Sequence, residues 1–403
     1  MSEHRPRPNG IRRGWGRARP LVAAILGVAW AGALATACAP EPPPALTVCP
    51  VRTEVPLEPA DPVNYSLPRA VSSDGEWLVA SRVVGADLVL SLRRTQAAAS
   101  SVPAGSLPYA QAATGTLLVS VPVDGSQVVF GTAGTAATEH DPQTTLRRWR
   151  AATGAVTDLP VPVVASPPPG VPYPMNAFAV SADGRRVLWV QSFREGPEPY
   201  VWHEVLVVTD AITDAVVSTA SIDGIGLGPI TGDGAAMLNS DALIATATGA
   251  VTNLAGDVAA AQAAFPGPQL QVAGISDDLR QLALRRYDPT VVPGVLTYLV
   301  WDRTTGTGRV ALQVATTGQG DQPQIQFDAI TPEGSLVATQ WASPPNLAGV
   351  LESHPTAGVR TIASAATLLT PQFSWLVSTT DGRTVVTSRQ SLLGQQLVAQ
   401  RCS

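Results

Sequence analysis

The chain contains no lysine. All 26 basic residues are arginine, set against 31 acidic residues for a formal charge of −5. Charged residues make up 14% of the 403 positions, against about 25% in an average globular chain. No large basic domain is present, so nucleic acid is not expected as a partner. Three cysteines are too few for a disulfide scaffold. The four histidines, His4, His140, His203 and His354, are isolated from one another and from cysteine. A zinc site needs three or four converging ligands, so no metal and no cofactor is expected. There is no Gly-x-Ser-x-Gly elbow, which excludes an attached serine peptidase of the α/β-hydrolase kind. Gly224-Ile225-Gly226-Leu227-Gly228 has no acid at ribose spacing and reads as a loop between repeats. Glycine and proline, 35 and 36 residues, exclude a long helical or coiled-coil protein. The 45% apolar content supplies a core and excludes disorder over most of the length.

What is present begins with a basic segment. Arg5, Arg7, Arg12, Arg13, Arg17 and Arg19 face one acid, Glu3, and then Leu21 to Ala37 carry no charge. That run is 17 residues, short of the roughly 20 a spanning helix needs. A basic region, an apolar run and a small-residue end make a secretory signal over residues 1–37. Leu34-Ala35-Thr36-Ala37-Cys38 resembles the bacterial lipobox, with Ala35 where leucine is usual. The resemblance implies acylation of the Cys38 thiol and export to the envelope, anchored by lipid and facing the periplasm or cell exterior. A plain cleaved signal and an uncleaved anchor are the alternatives. Removing residues 1–37 takes 26 basic and 31 acidic residues to 20 and 30, and the net charge to −10. So acidic a body gains nothing from anionic lipid, and membrane affinity falls to the anchor. Residues 38–64 are rich in proline and read as an extended tether.

The remainder, residues 65–403, repeats. A small residue, a second residue, an acid and usually glycine precede an apolar strand. The copies end in Asp74-Gly75, Asp124-Gly125, Asp183-Gly184, Asp233-Gly234, Asp278-Leu279, Glu333-Gly334 and Asp381-Gly382. Successive acids stand 50, 59, 50, 45, 55 and 48 residues apart. Such a period marks propeller blades, and Asp-Gly between apolar runs marks a tight hairpin. Strands such as Trp77-Leu78-Val79-Ala80 and Val187-Leu188-Trp189-Val190 are apolar on both faces, as strands covered on both sides are. The unit is four short strands, A to D, with the Asp-Gly turn between A and B. Helical stretches are expected to be few; Val258 to Ala264, between repeats, is one.

These motifs resemble the TolB-like propeller repeat of bacterial envelope proteins, a relative of the WD-repeat type. The family's Ser-Pro-Asp-Gly keeps its proline here only as Pro332. The resemblance implies an all-β propeller fold and no particular activity; the seven copies predict a seven-bladed β-propeller of four-stranded antiparallel blades. The last repeat has only three strands, Phe373 to Ser378, Arg383 to Arg389 and Gln395 to Cys402. Leu46 to Val51 is expected to supply the fourth and close the ring. With Cys38 acylated, Cys49 and Cys402 remain, one near each end of the folded region. A bridge between them would staple the closure in an oxidising compartment; two free thiols are the alternative.

Between strands B and C several connections are long and hold aromatics or proline: Gly131 to Thr145, Phe193 to Trp202, Tyr287 to Tyr298 and Trp341 to Leu347. So is the D–A segment Ser166 to Asn176. In an A-to-D meander these connections share one face of the ring. Elaborated loops on a rigid scaffold are where binding usually sits. Tyr173, Arg194, Tyr200, Trp202, Tyr287 and Trp341 are the candidate ligand-binding residues, and no catalytic residue is assigned. The expected function is a monomeric, lipid-anchored binding or scaffold module for an envelope protein, peptide or glycan. The alternative is an envelope hydrolase or lyase with its site at the central channel.

Overall fold

A computed structural model of the chain describes residues 52–402, except 62, 64–65, 97–98, 115–116, 133–145, 165–169, 223–226, 292–293, 316–323, 342–348, 355–359, 366–375, 380–382 and 392–393. All of these belong to one compact unit, Pro43–Ser403; the other unit, Met1–Pro42, lies outside the described residues.

Strand dominates the secondary structure of the described chain, which holds two short helices. After β1 (Arg52–Pro56), a first sheet holds β2 (Leu67–Val71), β3 (Trp77–Val84), β4 (Asp87–Arg94) and β5 (Val102–Pro108). Helix α1 (Tyr109–Thr114) leads to a second: β6 (Leu117–Ser120), β7 (Gln127–Thr132), β8 (Leu146–Arg150) and β9 (Val156–Asp158). The third is larger: β10 (Val171–Pro172), β11 (Asn176–Val180), β12 (Arg186–Glu195), β13 (Val201–Asp210) and β14 (Val216–Ile222). The fourth holds β15 (Leu227–Ile230), β16 (Ala236–Asn239), β17 (Ala242–Ala245) and β18 (Val251–Asn253). Helix α2 (Ala255–Ala264) precedes the fifth: β19 (Gln271–Ile275), β20 (Gln281–Asp288), β21 (Val295–Asp302) and β22 (Thr307–Ala315). The sixth is β23 (Gln324–Ile330), β24 (Leu336–Trp341), β25 (Gly349–His354) and β26 (Arg360–Ala365). The last is β27 (Leu376–Ser378), β28 (Thr384–Ser391) and β29 (Gly394–Cys402), and β1 pairs antiparallel with β29 at its edge.

The small sheets, all antiparallel, stack face to face as in a β-propeller. Val79, Leu90 and Leu92 of the first sheet meet Val128, Phe130 and Trp149 of the second. Val129 and Leu146 of the second meet Val187, Trp189 and Val207 of the third. Leu188 and Leu206 meet Met237 and Ile244, and Leu238 meets Leu282 and Trp301. Tyr298 and Val300 meet Leu336 and Ala338, and Leu78 and Ala80 meet Val386, Leu397 and Ala399. Each apolar strand is thus buried on both sides, which explains its unbroken hydrophobic run.

The repeated turn is built by its hydroxyl as much as by its acid. Ser181 is fully buried; its Oγ donates to Asp183 Oδ1 at 2.5 Å and accepts the Arg186 N–H at 2.9 Å. Ser72, Thr231 and Ser276 do the same. Gly125 has φ 63° and lies under the Trp77 ring, where a Cβ would stand 2.4 Å from a ring carbon. The copy that lacks glycine keeps the geometry, with Leu279 at φ 61°.

Three expectations need correction. The edge strand beside β29 is Arg52–Pro56, not Leu46 to Val51, which lies outside the described residues. The segment Phe193 to Trp202 is half strand: β12 and β13 pair from Arg186–Asp210 to Glu195–Val201, leaving residues 196–200 as the connection. The expected helix is longer, Ala255–Ala264, and α1 was not foreseen. Among the described residues no helix is long and apolar enough to cross a membrane.

Candidate functional site

The extended β12–β13 hairpin carries the densest group of candidate residues. Arg194 pairs with Trp202 and Ser192 with Glu204. Directly opposed residues, two apart along each strand, share one face of the sheet, so these four side chains lie together. Further down the same face Val190, Leu206, Leu188 and Val208 pack on the fourth sheet. The polar residues are therefore the outward continuation of a core stripe.

β10 completes the group. Val171 and Pro172 pair with Arg194 and Phe193, and the Tyr173 N–H donates to the Ser192 carbonyl at 2.9 Å. Gln191 Nε2 donates to the Tyr173 carbonyl at 2.8 Å. The Tyr173 ring so held lies 5.3 Å from the Trp202 ring, centroid to centroid, tilted by 35°. Trp202 is 49% exposed while Tyr173 is 6% exposed. Tyr173 is therefore a backing ring, not the exposed contact residue expected. The Arg194 guanidinium sits over the Tyr200 ring, 4.4 Å from its centroid, in cation–π range. On the opposite face of the hairpin His203 Nε2 lies 2.9 Å from Glu195 Oε2.

Glu204 is the electrostatic oddity of the group. Ser192 Oγ donates to its Oε1 at 3.3 Å, but its Oε2 is buried without a partner among the described residues. Burial pushes its carboxyl above the usual range, partly offset by Ser192. The sequence reading passed over Glu204. Its signal was an acid two residues after Trp202 and directly before the apolar run Val205–Val208.

The other candidates are not brought into this group. Tyr287 lies on β20 opposite Leu296, and its hydroxyl lies against Gly294, where a Cβ would meet it at 2.4 Å. Trp341 ends β24, paired with Gly349 and with Gln324. His354 ends β25 opposite Leu336, and His140 lies outside the described residues. Cys402 ends β29 opposite Arg52; Cys38 and Cys49 lie outside the described residues. Among the described residues no three His, Cys, Asp or Glu side chains gather as metal ligands would.

No protein-family model matches the sequence, and no curated protein matches it. Solved structures do. An oligogalacturonate lyase in complex with manganese is similar over 87% of this chain and 98% of its own, at 11% identity and a TM-score of 0.51. A periplasmic gluconolactonase of Pseudomonas aeruginosa is similar over 81% and 89%, at 13% identity and 0.39. TolB from Acinetobacter baumannii is similar over 84% and 63%, at 14% identity and 0.33. At such identities the likeness is one of fold and carries no activity with it. The chain is an all-β propeller of small antiparallel sheets, with TolB among the structures it resembles.

Proposed function

We propose that the protein is a lipid-anchored envelope propeller that binds a protein, peptide or glycan at the face where the β12–β13 hairpin projects. One observation carries the reading: a half-exposed Trp202 backed by a buried Tyr173, beside an Arg194 laid on Tyr200. Tryptophan, tyrosine and arginine dominate binding hot spots. Rings already fixed by strand pairing lose little conformational freedom when a partner docks. The lipid anchor at Cys38, the periplasmic or exterior location and a bridge between Cys49 and Cys402 belong to this proposal.

So does the blade count. Seven antiparallel sheets, with β1 paired at the edge of the last, support the reading of a seven-bladed ring closed by an N-terminal strand. The first strands touch in succession: β2 with β6, β6 with β11, β11 with β15, β15 with β19, β19 with β23 and β27 with β2. Among the described residues those first strands contribute two ionisable residues, Arg69 and Asp328.

The test is a pair of triple variants in the anchored protein. One is Arg194→Ala, Tyr200→Ala and Trp202→Ala; the other is Arg185→Ala, Arg186→Ala and Arg383→Ala on the turn face. Partners recovered from native envelope should be lost with the first and kept with the second. Equal loss in both, or loss only in the second, would overturn the assignment of the face.

A further inference from the structure

A second site stands apart from the hairpin, at the end of the first sheet where α1 leaves it. There β2, β3, β4 and α1 line a solvent-open cavity of about 470 Å³, inside the size range of small-molecule sites. Its polar wall is Arg69, Ser81, Arg82 and Tyr109; the rest is valine, leucine and alanine from the same elements and from Val63. No acid lines it, although acids outnumber bases in the chain.

The cavity has a structural origin. The β2–β3 register slips between Pro68 and Ala70, so Arg69 is the extra residue of a bulge. A bulge re-aims its side chain, and Arg69 Nε donates to Ser81 Oγ at 2.6 Å. Ser81 is itself 1% exposed and so holds the guanidinium in place. Arg69 feels burial, which lowers its pKa, and the nearby Tyr109, which raises it. On the far wall α1 presents Tyr109, Ala112 and Ala113. Short alanine side chains on a helix over a sheet leave room that larger residues would fill.

We propose that this cavity binds a small organic anion: a carboxylate at Arg69 and Arg82, with an apolar body against Leu67, Leu88 and the alanines of α1. Guanidinium groups match a planar carboxylate with paired donors, and the dry wall beside them accepts hydrocarbon. A phosphate without an apolar body uses only half of the lining.

The experiment is calorimetric titration of the purified full-length protein with 4-phenylbutyrate and, separately, with 4-phenylbutyramide, its neutral counterpart. The acid should bind saturably and the amide at least roughly tenfold more weakly, since a hydrogen bond to a charged group contributes about 1.5–3 kcal/mol. Arg69→Ala should weaken the acid by roughly 10-fold to 100-fold by the same estimate, and Arg69→Lys should weaken it less. Ala112→Trp keeps both arginines and fills the cavity, so it should abolish binding at an unchanged melting temperature. Saturable binding that is absent, that is equal for acid and amide, or that survives Ala112→Trp would overturn the proposal. If Arg69→Ala does not fold, the amide comparison and Ala112→Trp decide it.

Discussion

At the scale of the residue, the repeat is held by buried hydroxyls. Ser181, fully buried, serves as acceptor for the Arg186 N–H and as donor to Asp183. Ser181→Ala leaves a buried N–H unmade and should cost about 1–3 kcal/mol; Ser181→Thr, the residue that Thr231 uses in the same place, should cost less. Urea unfolding midpoints of the two variants test the order. Gly125→Ala is harsher, because it meets both the Trp77 ring and a positive φ. It should lose about 2 kcal/mol or more. The acid and glycine of each copy were legible in the sequence because turn chemistry is local. That Leu279 takes the glycine's backbone conformation was not legible, because the packing that holds it there comes from the fourth and fifth sheets.

At the scale of the element, the β12–β13 hairpin outgrows its neighbours and carries a carboxyl that is easier to protonate than usual. Glu204 has its pKa raised by burial in the folded state. Its contribution to stability is full below the unfolded value near 4.5 and is lost as pH rises through the folded value. Glu204→Gln should therefore melt higher than the parent at pH 7 and no higher at pH 4. The reverse order would mean that the carboxylate is paired when the chain is in solution. Asp302 behaves oppositely. Burial alone would raise its pKa, but donors from Arg280, Thr304 and Thr305 outweigh that and hold it well below the usual range. Its share of stability is present at neutral pH and lost on strong acidification. This element was half legible. The apolar runs of β12 and β13 were read as strands, but Gly196, Pro197 and Pro199 made the whole of Phe193 to Trp202 look like loop. Tyr173 could not be placed as a backing ring, because its burial depends on β10 pairing with a strand some 20 residues away. Helix α1, six residues of YAQAAT, is too short to show a period.

At the scale of the molecule, the two ends of the fold are tied together beyond strand pairing. The Leu57 N–H donates to the Leu397 carbonyl at 2.8 Å. Glu58 takes the buried Arg93 at 2.7 Å and a hydrogen bond from Ser66, and Arg401 pairs with Glu76 of the first sheet. Glu58→Ala leaves Arg93 buried without its acid and should cost about 3–5 kcal/mol, read as a fall in melting temperature. Peptide mapping without reductant should recover Cys49 joined to Cys402. Arg52 already stands opposite Cys402, so Cys49, three residues upstream, has to turn back to come within the roughly 7 Å that a bridge allows. Mass spectrometry of the mature N-terminus should find acylated Cys38, and any other first residue would refute the anchor. The edge strand beside β29 was misplaced because apolar Leu46 to Val51 looks more like a strand than Arg-Thr-Glu-Val-Pro does. Edge strands, however, favour charge and proline.

That polar edge bears on how the protein is made. Pro56 finds its partner at Val398, a point the ribosome reaches only after more than three hundred further residues. At about 5–20 residues per second this is a delay of tens of seconds. Throughout it β1 waits without the strand it was made to join. A waiting strand of valines would seek other nascent chains. One that carries an arginine, a glutamate and a terminal proline does not pair readily with strangers. The residues that make β1 a poor strand in the sequence suit it to be translated first and used last.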